Sequence, residues 1–433
     1  MNNISQFIQR FEKKKKILLV TRGANGDVFP YLAIASDLKK RGHQITISIP
    51  NLFEKEAKDY GLNYVIQGMD DLEGMMYGGA SKSIGVRKLL SWINDTIDNQ
   101  FSELMPLVKE CDLFIATNTE LAAPSIAECC KKPLIRTAYA PFLPGKKIPP
   151  PIFPFPKPNR IMATLLWKML SISVNIMSLK RLNKHRLEHG SQIMKNYAHH
   201  APEYSHNQLM YSPALGTVDY DWKYSWDISG YCFNDTFQYD EAAYFEILKF
   251  IKKDERPTLF FSLGSCSSKK GKRFIDMLLT IVKKNDYKLI IGSGWAKIGA
   301  HLEEDKHLHF MKEAIPHHLI FPKCDAVIHH GGCGTTHSVA RSGKPQMITP
   351  LFIDQHYWGH RVYTLGLGPN YINIGKISLK RLEKRVKDLV SNPNYRRNAI
   401  KIAEKMNREN GIDAFCDYVE KVLNSEKSIF SHQ

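Results

Sequence analysis

Apolar residues in this chain switch between short continuous runs and helical spacing. Ile17-Leu18-Leu19-Val20 is a four-residue apolar run, the kind that fills a strand buried on both faces. It leads into Gly23-Ala24-Asn25-Gly26-Asp27. A helix is predicted next, over about residues 28–40, stopped by Gly42, then a strand over 44–49. Strand, glycine turn, helix and strand open a doubly wound α/β domain. Strand-like runs recur at 112–116 and 133–137. Residues 231–239 read as a linker, and the pattern then restarts. Strands are predicted at 258–263, ending in Gly264-Ser265, and at 288–291, ending in Gly292-Ser293-Gly294. Another at 326–329 ends in His330-Gly331-Gly332-Cys333-Gly334-Thr335, and a fourth spans 347–350. The expected architecture is two similar α/β halves. Ligands of open parallel sheets sit at strand carboxyl ends, so the cleft between the halves is the place to look.

One segment departs from this alternation. Pro141–Pro158 is too proline-rich for regular structure. Beyond it Ile161, Leu165, Met169, Ile172, Ile176 and Leu179 share one face at three- and four-residue spacing, with Arg160, Lys168, Lys180, Arg181, Lys184 and Arg186 around them. Such a stripe reads first as the core face of a helix with charges turned to water, and otherwise as an apolar face for an anionic membrane. Lys168 and Asn175 interrupt it as a membrane span.

Charge sharpens this. The formal net charge is +17, and two windows hold the excess. Residues 144–200 carry ten lysines and arginines against one acid, Glu188; residues 376–408 carry eleven against three. Neither window has a zinc-finger, helix-turn-helix or ribonucleoprotein signature, so nucleic acid is not the expected partner. The later window reads as solvated helix faces. Eight cysteines show no CxxC pair, and the first apolar run is too short for a signal-peptide core. A cytoplasmic protein with reduced thiols, peripheral at the membrane, is the expectation. No histidine spacing suggests a metal site.

The candidate chemistry lies between His330 and Gln355. A glycine-rich turn between strand and helix presents free backbone N–H groups at the positive end of a helix dipole, a ready diphosphate site. Thr335 adds a hydroxyl and His330 a ring N–H; Asp354-Gln355 offers acceptors and donors for sugar hydroxyls. Singly, each has an ordinary alternative: a tight turn, a structural histidine, a loop pair.

In order and spacing, His330-x-Gly332-x-x-Thr335, Gly343-x-Pro345, Pro350 and Asp354-Gln355 resemble the nucleotide-sugar signature of family 1 glycosyltransferases. Val327–Thr336, Phe352-x-Asp354-Gln355-x-x-Trp358-Gly359, Arg361-Val362, and at the other end Gly23–Val28 with Pro30 and Gly42-His43 look most like its sterol, lipid and antibiotic branch. The likeness covers roughly residues 16–410 and is weakest over 140–230. It implies a GT-B fold, two Rossmann-like domains across a cleft. Residues 1–235 would bind the acceptor, 236–410 the nucleotide sugar, and 411–433 would hold a helix returning to the first half. It implies donor binding by Gly264, Ser265, His330, Gly332, Gly334, Thr335, Asp354 and Gln355, with Ile315 meeting the base. Plant members stack the base on a Trp and hold the ribose with a Glu. Ala314 and Ser338 stand there, which leaves UDP and dTDP both open.

The implied reaction is metal-independent, inverting transfer of a hexose, glucose by the likeness of Gln355, to a hydroxyl of an apolar acceptor such as a sterol, lipid, flavonoid or polyketide. No cofactor beyond the UDP- or dTDP-sugar is implied. Transfer needs a base for the hydroxyl proton. Asp27 stands where the branch has one. By spacing alone it reads first as a helix N-cap. Asn118 and Glu120, after a strand, are candidates for the cleft wall. Asn118, Leu165 and Met169 are the acceptor-binding expectation. A sugar-nucleotide epimerase and a non-catalytic partner protein are the rival readings.

Overall fold

The structure, a computed structural model, describes residues 14–68, 86–153, 159–264, 271–292, 294, 299, 301–351 and 353–425. The first sheet holds β1 (Lys16–Val20), β2 (Gln44–Ile49), β3 (Asn63–Ile66), β4 (Leu113–Thr117), β5 (Leu134–Ala138), β6 (His206–Leu209) and β7 (Trp226–Ile228). All are parallel, in the order β3-β2-β1-β4-β5-β6-β7. The second holds β8 (Thr258–Ser262), β9 (Lys288–Gly292), β10 (Leu308–Met311), β11 (Ala326–His329) and β12 (Gln346–Ile348), parallel in the order β10-β9-β8-β11-β12. Strand order reverses between β1 and β4, and again between β8 and β11. Those switch points open crevices at the strand carboxyl ends.

The periodicity of two explains the layering. Ile17 and Leu19 of β1 pack toward Val28, Leu32 and Ala35 of the helix Asn25–Lys40. Leu18 and Val20 pack the other way, with Ile97, Leu104 and Ile126. A third core lies between the second sheet and the helices Gly271–Lys284 and Leu379–Ser391. A fourth joins the halves through Tyr211, Tyr231, Ile348, Trp358 and Met406. The helix Gly411–Asn424 follows the second sheet in sequence yet buries Phe415, Cys416 and Val419 in the first half's core. There Arg41 reaches Asp413 at 3.1 Å and Asp417 at 2.5 Å.

Periodicity did not reveal β3, β6, β7 and β10. Their sequences mix polar residues into the strand: HNQL in β6 buries Asn207 and Gln208, and WDI in β7 is half-buried throughout. The apolar stripe came out inverted. The helix Arg160–Val174 continues through a π-turn, Asn175–Leu179, into Lys180–Glu188. Its core side is Ala163, Leu166, Trp167, Ser171 and Ser178, while Ile161, Leu165, Met169, Ile172 and Ile176 face outward. Both faces are apolar enough to be buried, and tertiary packing chose the one carrying Trp167. Two of the surrounding cations also turned inward: Arg181 pairs with Asp98, and buried Arg186 with Glu128 at 2.6 Å. In the later basic window, Leu382, Val386 and Leu389 face the core while Arg381, Lys384 and Lys387 lie in water.

Candidate active site

One cavity of about 1610 Å³ lies between the halves. Pockets that hold one drug-sized ligand measure roughly 300–1,000 Å³, so this volume suits two ligands at once. Every switch-point loop reaches it: residues 22–27 after β1, Asn118 after β4, Gly264 after β8 and His330–Thr335 after β11.

Asp27 lies in its wall. The helix begins at Asn25, three residues earlier than its periodicity predicts, so Asp27 is not the N-cap. It sits in the first turn and reaches back, its Oδ2 accepting the N–H of Ala24 at 2.9 Å, the carboxylate half of a capping box. The main chain is pinned as well: the hydroxyls of Tyr139 and Thr21 donate to the Asp27 carbonyl at 3.0 and 3.2 Å. Gly23 holds φ +132°, and a methyl group there would lie 2.2 Å from Asp27 Oδ2, so the turn requires glycine. Burial pushes the Asp27 carboxyl up to about 6, against the lowering pull of the Ala24 N–H. A carboxylate titrating there is a competent base near neutral pH.

Opposite stands the start of the helix Cys333–Arg341, with Gly332 as its N-cap. The cap has no side-chain acceptor, so the first backbone N–H groups open toward the cavity. The His330 ring is clamped between two glycines. A Cβ on Gly264 would lie 2.7 Å from its Cε1, and one on Gly332 2.5 Å from its Nε2. Its Nδ1 is buried without a partner in the protein. Burial, with His329 and His317 nearby, holds its pKa down to about 3, so it is neutral and has hydrogen-bonding capacity to spare. His329 supports the turn: its Nδ1 accepts the N–H of Gly331 at 3.1 Å, and its Nε2 lies 2.9 Å from Gln346 Oε1. A Cβ on Gly334 would come within 3.7 Å of the Gly26 Cα, so the loops after β1 and β11 nearly touch.

Asp354 and Gln355 line the same cavity. Trp358 Nε1 donates to Asp354 at 3.1 Å, and Gln355 Oε1 accepts the N–H of Leu351 at 2.7 Å. Burial pushes Asp354 up to about 7; Trp358 opposes this, and the charge of Asp27 adds to it. Ile353, just before, holds φ +51°, a strained conformation for a β-branched residue. Ile315, Ala314 and Ser338 are also in the wall. Ser265 lies outside the described residues.

The acceptor-side expectation needs correction. Asn118 lines the cavity, but Leu165 and Met169 are on the outer face of their helix, half or more exposed. Trp167, Leu170 and Val174, on its inner side, form the wall. Glu120 is buried behind the wall, where Arg22 Nε meets it at 3.3 Å and Gln100 donates to it. Sequence reasoning passed over Arg22, Trp92, Arg136, Tyr139, Tyr197 and the linker residues Tyr231–Phe237, several of which line the cavity. Arg341 fixes that linker, with paired bonds to Asp235 at 2.7 and 2.6 Å and its guanidinium 3.7 Å from the Phe233 ring centre. The density of aromatics in 231–237 was the available signal. Among the described residues, no group of three or more His, Cys, Asp or Glu side chains is placed to hold a metal ion.

Residues 17–125 match the glycosyltransferase family 28 N-terminal domain, and residues 309–411 the C-terminal domain family described as erythromycin biosynthesis protein CIII-like. A sterol 3-beta-glucosyltransferase of Arabidopsis thaliana is 27% identical over 95% of this chain and 68% of its own length. One from Komagataella phaffii is 24% identical over 98% of this chain, but this chain spans only 36% of it. Among solved structures, the glycosyltransferase of kitacinnamycin superposes with a TM-score of 0.71 at 16% identity, covering 94% of this chain and 99% of that one. The glycosyltransferase VinC, in complex with dTDP, superposes at 0.67 and 15% identity, with the same coverage. The shared fold is GT-B.

Proposed function

The chain belongs to the family 1 GT-B glycosyltransferases, and from that premise we propose that it moves a hexose from a UDP- or dTDP-sugar to the hydroxyl of a sterol or similar apolar alcohol. The observation that carries this reading is the convergence of Asp27 and the Gly332–Thr335 helix terminus on one cavity. The remaining wall, from Trp92, Phe142, Trp167, Leu170 and Val174, is apolar and suits a flat lipid-like acceptor. The relatives named as sterol glucosyltransferases support that choice.

The mechanism follows from the two faces. The acceptor hydroxyl lies against Asp27, which takes its proton as the oxygen bonds to the anomeric carbon. The bond to the diphosphate breaks on the opposite side. Charge growing on the leaving oxygen meets backbone N–H groups, the helix dipole, Thr335 and His330, preorganised donors that need no metal ion. Attack opposite the leaving group inverts the anomeric carbon, so an α-linked donor gives a β-glycoside. Asp354 and Gln355 hold the sugar hydroxyls.

The test uses purified protein with UDP- and dTDP-hexoses, with and without sterols, flavonoids and lipid alcohols, in the presence and absence of EDTA. A β-glycoside formed equally with EDTA is expected. Absence of binding, hydrolysis and transfer for every sugar nucleotide overturns the reading.

A further inference from the structure

The outward stripe is the most exposed apolar surface on a regular element here. Ile161 is 72% and Ile176 73% exposed, and Met162, Leu165, Met169 and Ile172 lie between them at 43–57%. At 100° per residue all six fall within a sector of about 100°. Scattered exposed apolar residues are ordinary; a continuous band of them marks a surface that meets something apolar.

We propose that this band docks on an anionic lipid bilayer, with the helix lying in the plane of the interface. Charge selects the occupant. Lys168 and Lys180 flank the band and Arg160 begins it, all exposed. Glu188 is the only acid in the whole 144–200 segment, and it lies beyond the band. A second protein chain would need acids to complement this rim, whereas an anionic headgroup layer supplies them everywhere. The 160–188 stretch is long and apolar enough to cross a membrane by length and composition. Yet Ala163, Leu166, Trp167 and Ser171 are packed into the core. Crossing would strip that side from the fold, whereas lying flat leaves it in place.

Position gives the docking a purpose. Trp167, Leu170 and Val174, on the opposite side of the same helix, line the cavity. One helix therefore separates the bilayer from the acceptor pocket, so a lipid alcohol has one helix width to travel. This second step rests on the reading of the cavity as an acceptor site; the docking does not.

The test is co-sedimentation of the full chain with phosphatidylcholine vesicles, with and without phosphatidylglycerol, at low and high salt. Binding to anionic vesicles that weakens with salt is expected. Lys168→Glu and Lys180→Glu should each lower the partition coefficient at least about fivefold. Ile161→Ser and Ile176→Ser should each lower it about tenfold. These side chains contribute little to the core, so an unchanged melting temperature is the fold control. Equal partition onto neutral and anionic vesicles overturns the proposal, as does wild-type binding by Ile161→Ser/Ile176→Ser. So does a wild-type dimer that the serine variants dissociate while vesicles are ignored. Failure to bind vesicles with intact transfer to a detergent-dispersed acceptor defeats the docking alone. Vesicle binding without any sugar-nucleotide turnover defeats the function reading alone.

Discussion

Under the function proposed above, the donor side of the cleft would recognise its ligand through main chain. Gly264, Gly332 and Gly334 leave room around His330 and the linker, and the helix terminus at Cys333 offers its N–H groups. On the acceptor side the wall is built from side chains of separate segments: Trp92 from one helix, Trp167 and Leu170 from another, Tyr197 from a third, Arg136 from β5. A backbone site admits few sequences, because a single Cβ fills it. A side-chain wall admits many, because any apolar residue of suitable size closes it. The donor side should therefore break sharply under substitution, and the acceptor side should shift by degrees. Asp27 belongs to the first kind although it sits on the acceptor half, since Gly23 and the Ala24 N–H dictate its position.

The largest effect is expected at that carboxylate. Asp27→Asn keeps the capping acceptor and removes the base, so transfer should fall about 10²–10⁴-fold with donor affinity unchanged. The fold should not suffer. The wild-type carboxyl, raised to about 6, holds a proton between roughly pH 4 and 6 that the unfolded chain releases. Stability contributed by this group therefore falls as pH rises through that window, and the Asn variant escapes the loss. Its melting temperature at neutral pH should equal or exceed wild type. Wild-type transfer by Asp27→Asn would place the base elsewhere and erase the contrast between the walls.

Next comes the clamp. His330→Ala removes a neutral donor aimed at the diphosphate, and the expected cost is about 10–100-fold in donor affinity. Gly332→Ala, whose Cβ would lie 2.5 Å from His330 Nε2, should imitate it without removing the imidazole. Titration of a non-hydrolysable sugar nucleotide measures both. If Gly332→Ala binds normally, the helix terminus is less constrained than its geometry implies.

The pH profile separates the two raised carboxyls. Rate per enzyme at saturating donor should fall about tenfold per pH unit below about 6, as Asp27 gains its proton. In Asp27→Asn that limb should vanish. Asp354, raised to about 7 partly by the charge of Asp27, should titrate lower in the same variant. An unchanged acid limb in Asp27→Asn would assign it to another group.

The two walls also differ in how far the sequence disclosed them. Strand β11, its glycines, His330, Asp354 and Gln355 lie within one short stretch, so spacing alone brought them together. Asp27, next to β1, read by spacing as a helix N-cap, and only the family resemblance pointed to it as the base. The acceptor wall draws on β5, three helices and the linker at wide separations, and no local pattern joins them. The stripe at 161–176 shows the physical limit. Its period is helical on either face, and only packing of Trp167 against the Ile148 carbonyl, through an indole N–H at 2.8 Å, fixes which side turns inward. Periodicity found the helix and could not orient it. Glu120 likewise followed a strand end as expected, yet was claimed by Arg22 from across 98 residues.

The smallest expected effect tests the side-chain wall itself. Arg136 shares a face of β5 with Leu134, opposite Ile135, so it faces away from the helix Asn25–Lys40 and lines the cavity. No carboxylate pairs with it among the described residues; its polar neighbour is the hydroxyl of Tyr197, a residue only 4% exposed. The two buried arginines among the described residues of this half are neutralised, Arg22 by Glu120 and Arg186 by Glu128. Burial pushes the Arg136 pKa down, with Tyr197 the main opposing influence. A cation and a hydroxyl facing an otherwise apolar cavity wall are where an acceptor's second polar group would bind. Arg136→Met and Tyr197→Phe should therefore raise the acceptor KM a few-fold, about 1 kcal/mol each. The effect should appear for alcohols carrying a further hydroxyl or acid and vanish for those with a single hydroxyl. Donor KM should not move in either variant. A change in donor KM would mean that the walls communicate, and the division between backbone and side-chain recognition would then need redrawing at β5.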